Sequence, residues 1–183
     1  MAITKIATVT VGAGGASSID FTSIPGTMTD LMIELSGRSS RTYYTNDEVI
    51  VRFNGSTSGY SYKELQGNGS SASSFGNTNN GIYRGAIPTA AANSNTFSNN
   101  VIYVPNYAGA TNKSVSLDTT SENTLADGGG STYTRMVIIA GLWANTAAIT
   151  SLTLTPEVGT FVQYSTATLY GITKGSLAGV TVS

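Results

Sequence analysis

Ala7, Val9 and Val11 fall on one side of an extended segment and Thr8 and Thr10 on the other. A repeat of two is the mark of a strand with one buried face. The same alternation returns along most of the chain. Leu31, Ile33 and Leu35 oppose Met32 and Glu34, and Val49, Val51 and Phe53 oppose Arg52 and Asn54. Further strands are expected at 82–87, 100–104, 114–119, 134–143, 149–155 and 161–172. Ser18–Thr22 follows the first strand after a glycine-rich turn, which predicts a hairpin between the two.

Two strands carry more than their periodicity. RMVIIAGLW, residues 135–143, is apolar throughout, so it is expected to be a central strand covered on both faces. Gly141 within it marks a bulge or a close approach. Near the end, Ser165, Ala167 and Leu169 share one face against Thr166, Thr168 and Tyr170. Small residues on the inner side let a second layer pack closely, so this segment reads as structural. No stretch sustains a 3.6-residue period with capping signals.

About ten short strands separated by turn signals predict an all-β fold, an antiparallel β-sandwich or a barrel. One domain over 1–175 with a short tail at 176–183 suffices for a 183-residue chain. Two polar stretches, QGNGSSASSFGNTNNG at 66–81 and SENTLADGGGST at 121–132, interrupt the alternation and are expected to be long loops.

Composition narrows the chemistry. Charged residues are 10% of the chain, against roughly 25% in ordinary soluble proteins. Ser, Thr, Asn and Gly take their place, giving a neutral, hydrogen-bonding surface. The net charge of −1 and the lack of a basic stripe argue against nucleic acid. No segment reaches the roughly 18 apolar residues of a membrane-spanning helix. The alternating start, MAITKIATVTVG, does not resemble a signal peptide, so synthesis in a cytoplasm is expected. The chain has no Cys and no His, which excludes disulfides, thiol nucleophiles, His-based triads and zinc fingers.

The remaining candidates are weak. Gly12, Gly14 and Gly15 suggest a dinucleotide-binding turn, but Ser17 replaces the third glycine and a strand follows where a helix is required. Asp47 and Glu48 are adjacent, and neighbours on a strand point to opposite faces, so they do not form a glycosidase pair unless they sit in a loop. Asp118 and Glu122 could converge at a strand end. Asp118, Glu122 and Asp127 could offer oxygen ligands to calcium, but their spacing is not that of an EF-hand, and Asp127 before glycine reads better as a turn. No catalytic residue, cofactor or metal ligand is therefore assigned. The tyrosines stand out more. Tyr43, Tyr44, Tyr60 and Tyr62 lie within twenty residues, with Arg38, Arg41 and Arg52 nearby. Tyr and Arg are enriched both in protein interfaces and in sugar-contacting surfaces, and the pattern leaves protein and glycan open as the partner. Arg41, Tyr43, Tyr44, Tyr60 and Tyr62 are thus the expected contact surface, with a sandwich-core role as the alternative.

Three stretches also resemble a known family: KIATVTVGAGGASSIDFTSIPGTMTDLMIELSGRS, NTFSNNVIYVPNYAGATNKSVSLD and AGLWANTAAITSLTLTPEVGTFVQYSTATLYGI. Through FTSIP with DLMIEL, IYVPNYAG and FVQYSTATLYGI, the chain resembles small virion structural proteins of tailed bacteriophages. The resemblance implies a non-enzymatic jelly-roll protein carried in many copies on the virion. Its first reading is a capsid decoration (cement) protein that braces the head, bound to the major capsid protein or other virion proteins. A homo-oligomer is implied, with a trimer favoured and the N-terminal strand as a possible anchor. The alternative is a glycan-binding, receptor-recognising module of the phage tail.

Overall fold

A computed structural model describes residues 1–125 and 135–175. Among them there is no helix, and twelve strands form two antiparallel sheets packed face to face. They are β1 (Ala2–Thr10), β2 (Ile19–Phe21), β3 (Asp30–Ser36), β4 (Asn46–Phe53), β5 (Tyr60–Gly67) and β6 (Ala72–Asn79). The second half supplies β7 (Ile82–Pro88), β8 (Asn99–Pro105), β9 (Lys113–Ser121), β10 (Arg135–Trp143), β11 (Leu152–Pro156) and β12 (Thr166–Thr173). The larger sheet runs β1-β12-β3-β8-β9-β10-β5-β6 and the smaller β2-β11-β4-β7.

This order resolves into a frame and two insertions. If β5–β6 and β9–β10 are set aside, the chain crosses between sheets at every step but one, β4 to β7, which pair as neighbours, and the two sheets read β1-β12-β3-β8 and β2-β11-β4-β7. That is the eight-strand jelly roll. The two inserted hairpins both join the larger sheet beyond β8, so four strands there extend past the frame.

The core follows the alternation. Leu31, Ile33 and Leu35 of β3, Val49, Val51 and Phe53 of β4, and Ala167 and Leu169 of β12 are all buried between the sheets. Phe53, Tyr60 and Trp143 close one end, with the Tyr60 and Trp143 rings stacked at 6.0 Å. The Tyr60 hydroxyl is satisfied by the backbone of Phe53, accepting from its N–H at 2.8 Å. Gly141 is a close-approach point: it keeps register with both neighbours, and a Cβ there would stand 2.8 Å from Ile82 Cδ1 of the opposite sheet.

Three expectations are corrected. The segment after the glycine-rich turn does not pair with β1. β1 pairs with β12 while β2 pairs with β11, because residues 11–18 carry the chain from one sheet to the other. Residues 66–81 are not a loop. They hold β6 and a short turn in which the Asn68 side chain accepts the N–H groups of Ser70 and Ser71 at 3.0 and 2.8 Å. β10 is covered on one face only: Val137, Ile139 and Trp143 are buried, while Met136, Ile138 and Leu142 are exposed. Part of the second expected loop, with Asp127, lies outside the described residues, as does the tail at 176–183.

Candidate binding cleft

Charge in this chain is scarce, yet much of it gathers in one place. At the open side of the sandwich, where the smaller sheet stops at β7 and the larger continues through β10, β5 and β6, Arg41, Arg84 and Arg135 meet Asp47, Glu48, Glu64 and Glu157. Local backbone brings them together. The register of β4 and β7 slips between Val49 and Val51, and Arg84 takes a positive φ of 89°. This irregularity delivers the Arg84 guanidinium to the gap between the sheets.

Arg84 joins the two layers. Its Nη1 donates to Oε1 of Glu48, on the smaller sheet, at 2.6 Å, and its Nε lies 3.3 Å from Oε2 of Glu64, on the larger. Arg135 reinforces the link, with Nη1 3.5 Å from Glu48 and with Nε and Nη2 donating to Gln66 Oε1 at 3.0 and 2.5 Å. Arg41 sits between Asp47 at 3.2 Å and Glu157 at 3.9 Å. Burial pushes the Glu64 carboxyl up from its usual value, against the pull of Arg84 and Arg135. Glu157 is raised too, by burial and then by the neighbouring Glu48 and Asp47. Burial likewise raises Asp47, although the Glu48 N–H donates to it at 2.9 Å.

Beside this cluster opens a cleft of about 350 Å³. One wall is the end of the β5–β6 hairpin, with Gln66, Asn68, Ser71 and Ser73. The other is built by Arg41, Tyr44 and Asn46. Glu48 and Glu157 both line it. Two carboxylates therefore do converge on a groove, which adjacent positions on a regular strand had argued against for Asp47 and Glu48. The partner of Glu48 is Glu157, more than a hundred residues along the chain, a pairing no local spacing reveals. Each carboxylate of the cluster is nevertheless within 4 Å of an arginine. The ion pairs hold these carboxylates in position, where they accept charge-assisted hydrogen bonds.

The expected contact residues separate into two sets. Arg41, Tyr43 and Tyr44 stay together at the surface. The two tyrosine rings meet edge to face at 4.7 Å, and the Arg41 guanidinium lies 4.6 Å from the centre of the Tyr44 ring. Tyr60 and Tyr62 do not belong with them. Both occupy inward positions on β5 and are 2% and 4% exposed, so their place on a contact surface is corrected to the core. Arg38 and Arg52 are also committed elsewhere. Arg38 donates to the carbonyls of Ala92, Asn93 and Thr96, and Arg52 binds Asn80 and Thr155. Asp118 and Glu122 are exposed, and the described residues hold no group of three or more acidic side chains placed for a metal ion.

Sequence reasoning did not find Glu64, Arg84, Arg135 or Gln66. The one available signal was Glu64 itself, which takes the inward position next after Tyr60 and Tyr62 where an apolar residue would continue the alternation. Compared with known proteins, the chain matches no family model, no curated protein and no solved structure.

Proposed function

We propose that this chain is a non-enzymatic structural protein of a bacteriophage virion, first of all a decoration protein that braces the capsid by binding across neighbouring subunits. The observation that carries the reading is the outer face of β10. Met136, Ile138 and Leu142 are 61%, 58% and 38% exposed, and Leu65 of β5, directly opposite Ile138, is 56% exposed. A band of large apolar side chains in the middle of a sheet is the kind of patch that marks an interaction surface.

The sheet edge supports the same reading. Among the described residues, β6 ends the larger sheet with eight residues, ASSFGNTN, that include no charge and no proline. Free edges are ordinarily blunted by such residues or by bulges. β1, at the opposite edge, has both a lysine, Lys5, and a register shift between Lys5 and Ala7. An undefended edge beside an apolar band suits a chain whose neighbours are always present. Jelly rolls are common in viral shells, which adds an argument by analogy of fold alone.

The test is the copy number of the chain in purified phage particles, by quantitative mass spectrometry against the major capsid protein. Hundreds of copies support head decoration. A few dozen or fewer move the chain to the tail. Absence from the particle overturns the proposal.

A further inference from the structure

We infer that the cleft between the β5–β6 hairpin and Tyr44 binds a neutral sugar unit of a glycan. This goes beyond a bracing role and does not depend on which part of a particle carries the chain. Its size, about 350 Å³, falls at the lower end of sites that hold small molecules. Its walls differ from the apolar band on β10: they are amides, hydroxyls and ion-paired head groups, with one aromatic ring.

Charge decides the class of ligand. The three arginines of the cluster face four carboxylates, and every one of the seven lies within 4 Å of an opposite partner. An anion entering the cleft would meet Glu48 and Glu157, and a cation would meet Arg41 and Arg135. A neutral ligand with many hydroxyls meets no such penalty. It can donate to carboxylates and accept from guanidinium and amide N–H groups at once. The ion pairs also hold these groups in place before a ligand arrives, so less freedom is lost on binding.

Tyr44 supplies the second element. It is 41% exposed, braced edge-on by Tyr43 and beneath the Arg41 guanidinium. A fixed, half-exposed ring beside hydrogen-bonding groups matches a sugar, which has C–H groups on its faces and hydroxyls around its rim. The backbone carbonyl of Tyr44 accepts from the Thr89 hydroxyl, which ties the segment down without using the ring. A peptide fits less well, because the cleft offers no apolar recess for side chains beyond this ring.

The test uses the full chain on an array of neutral, sialylated and sulfated oligosaccharides, followed by amide NMR titration with the best neutral binder. Neutral glycans are expected to bind, with shifts centred on Tyr44 and residues 66–73. Tyr44→Ala should weaken binding roughly two- to tenfold, the worth of one aromatic contact, while Tyr44→Phe keeps most of it. A urea unfolding curve checks that Tyr44→Ala remains folded, and the wild-type shift map stands if it does not. No binding to neutral glycans, binding to acidic glycans alone, or shifts elsewhere on the chain would overturn the inference. So would a folded Tyr44→Ala variant that binds as wild type does.

Discussion

Gly141 of β10 and Ile82 of β7 meet closely between the two sheets: a Cβ on Gly141 would stand 2.8 Å from Ile82 Cδ1 and 3.2 Å from its Cγ1 and Cγ2. Ile82 is fully buried and has nowhere to retreat. Gly141→Ala should therefore destabilise the fold by about 1–3 kcal/mol through overpacking. Ile82→Val removes Cδ1 and should recover part of that loss when the two are combined. Urea midpoints of the four members of this cycle test it, and strict additivity would show that the contact is not tight.

Tyr60 and Tyr44 are close in sequence but should respond in opposite ways to the same change. Tyr60→Ser leaves a cavity beside Trp143 and strips the Phe53 backbone of its partner, so a loss of about 3–5 kcal/mol is expected. Tyr43→Ser with Tyr44→Ser should cost about 1 kcal/mol or less, as surface changes do. Thermal unfolding of the two variants side by side separates them. Equal losses would mean that the surface pair is part of the core.

The Arg84 bridge predicts a pH response. Glu64 has its carboxyl raised by burial, so its contribution to stability is fully present below its usual value of 4.5 and declines as pH rises through the raised one. Arg84→Met removes the cation nearest both Glu48 and Glu64. Near pH 8 this should cost about 1–3 kcal/mol, because it leaves the buried Glu64 carboxylate with only Arg135, at 4.0 Å, as a cation partner. The variant should then regain stability on acidification more steeply than wild type. Urea midpoints between pH 4.5 and 8 measure both slopes, and parallel slopes would count against the bridge.

Asp30 works in the other direction. Burial opposes its ionisation, but Tyr103 Oη donates to it at 2.6 Å, the Asn106 N–H at 2.9 Å, and Lys174 Nζ lies at 3.1 Å. Together these hold the carboxyl below its usual 3.8, and the same bond pushes the Tyr103 hydroxyl up to about 12. The stability Asp30 supplies is thus complete above pH 3.8 and fades as pH falls through the lowered value. Asp30→Asn should be less stable at neutral pH by about 1.5–3 kcal/mol, with a shallower acid limb. Acid titration of unfolding, with the Tyr103 phenol followed by its ultraviolet absorbance at high pH, tests the pair.

The strands of the jelly-roll frame, though not their order, were readable because they bury one face and show the other. Leu31–Leu35, Val49–Phe53 and Ser165–Leu169 report their inner sides directly through alternation. The inserted hairpin β5–β6 was not, for two physical reasons. β6 buries neither face, so ASSFGNTN has no reason to alternate. In β5 the polarity inverts after Tyr62, with Glu64 buried and Leu65 exposed, and that inversion hides the strand. The cleft was illegible for the same cause. Its residues come from 41–48, 66–73, 84, 135 and 157, and it lies where the alternation that reveals the fold gives way. Arg41 and Tyr44 were found because aromatic and guanidinium groups stand out in so neutral a chain. Tyr60 and Tyr62 were misplaced for the same reason, since composition does not distinguish a tyrosine that faces inward from one that faces out.

The place of β12 between β1 and β3 also sets an order of events. Ala2 pairs with Thr173 and Ile172 with Asp30, so the slot between the first and third strands stays empty until residues 166–173 have left the ribosome. The inserted hairpins β5–β6 and β9–β10 join neighbours in sequence and can close early. The frame that holds them closes last, through contacts spanning nearly the whole chain, which places the domain among slow folders. During synthesis, the growing chain carries an open seam in its larger sheet until β12 emerges and seals it.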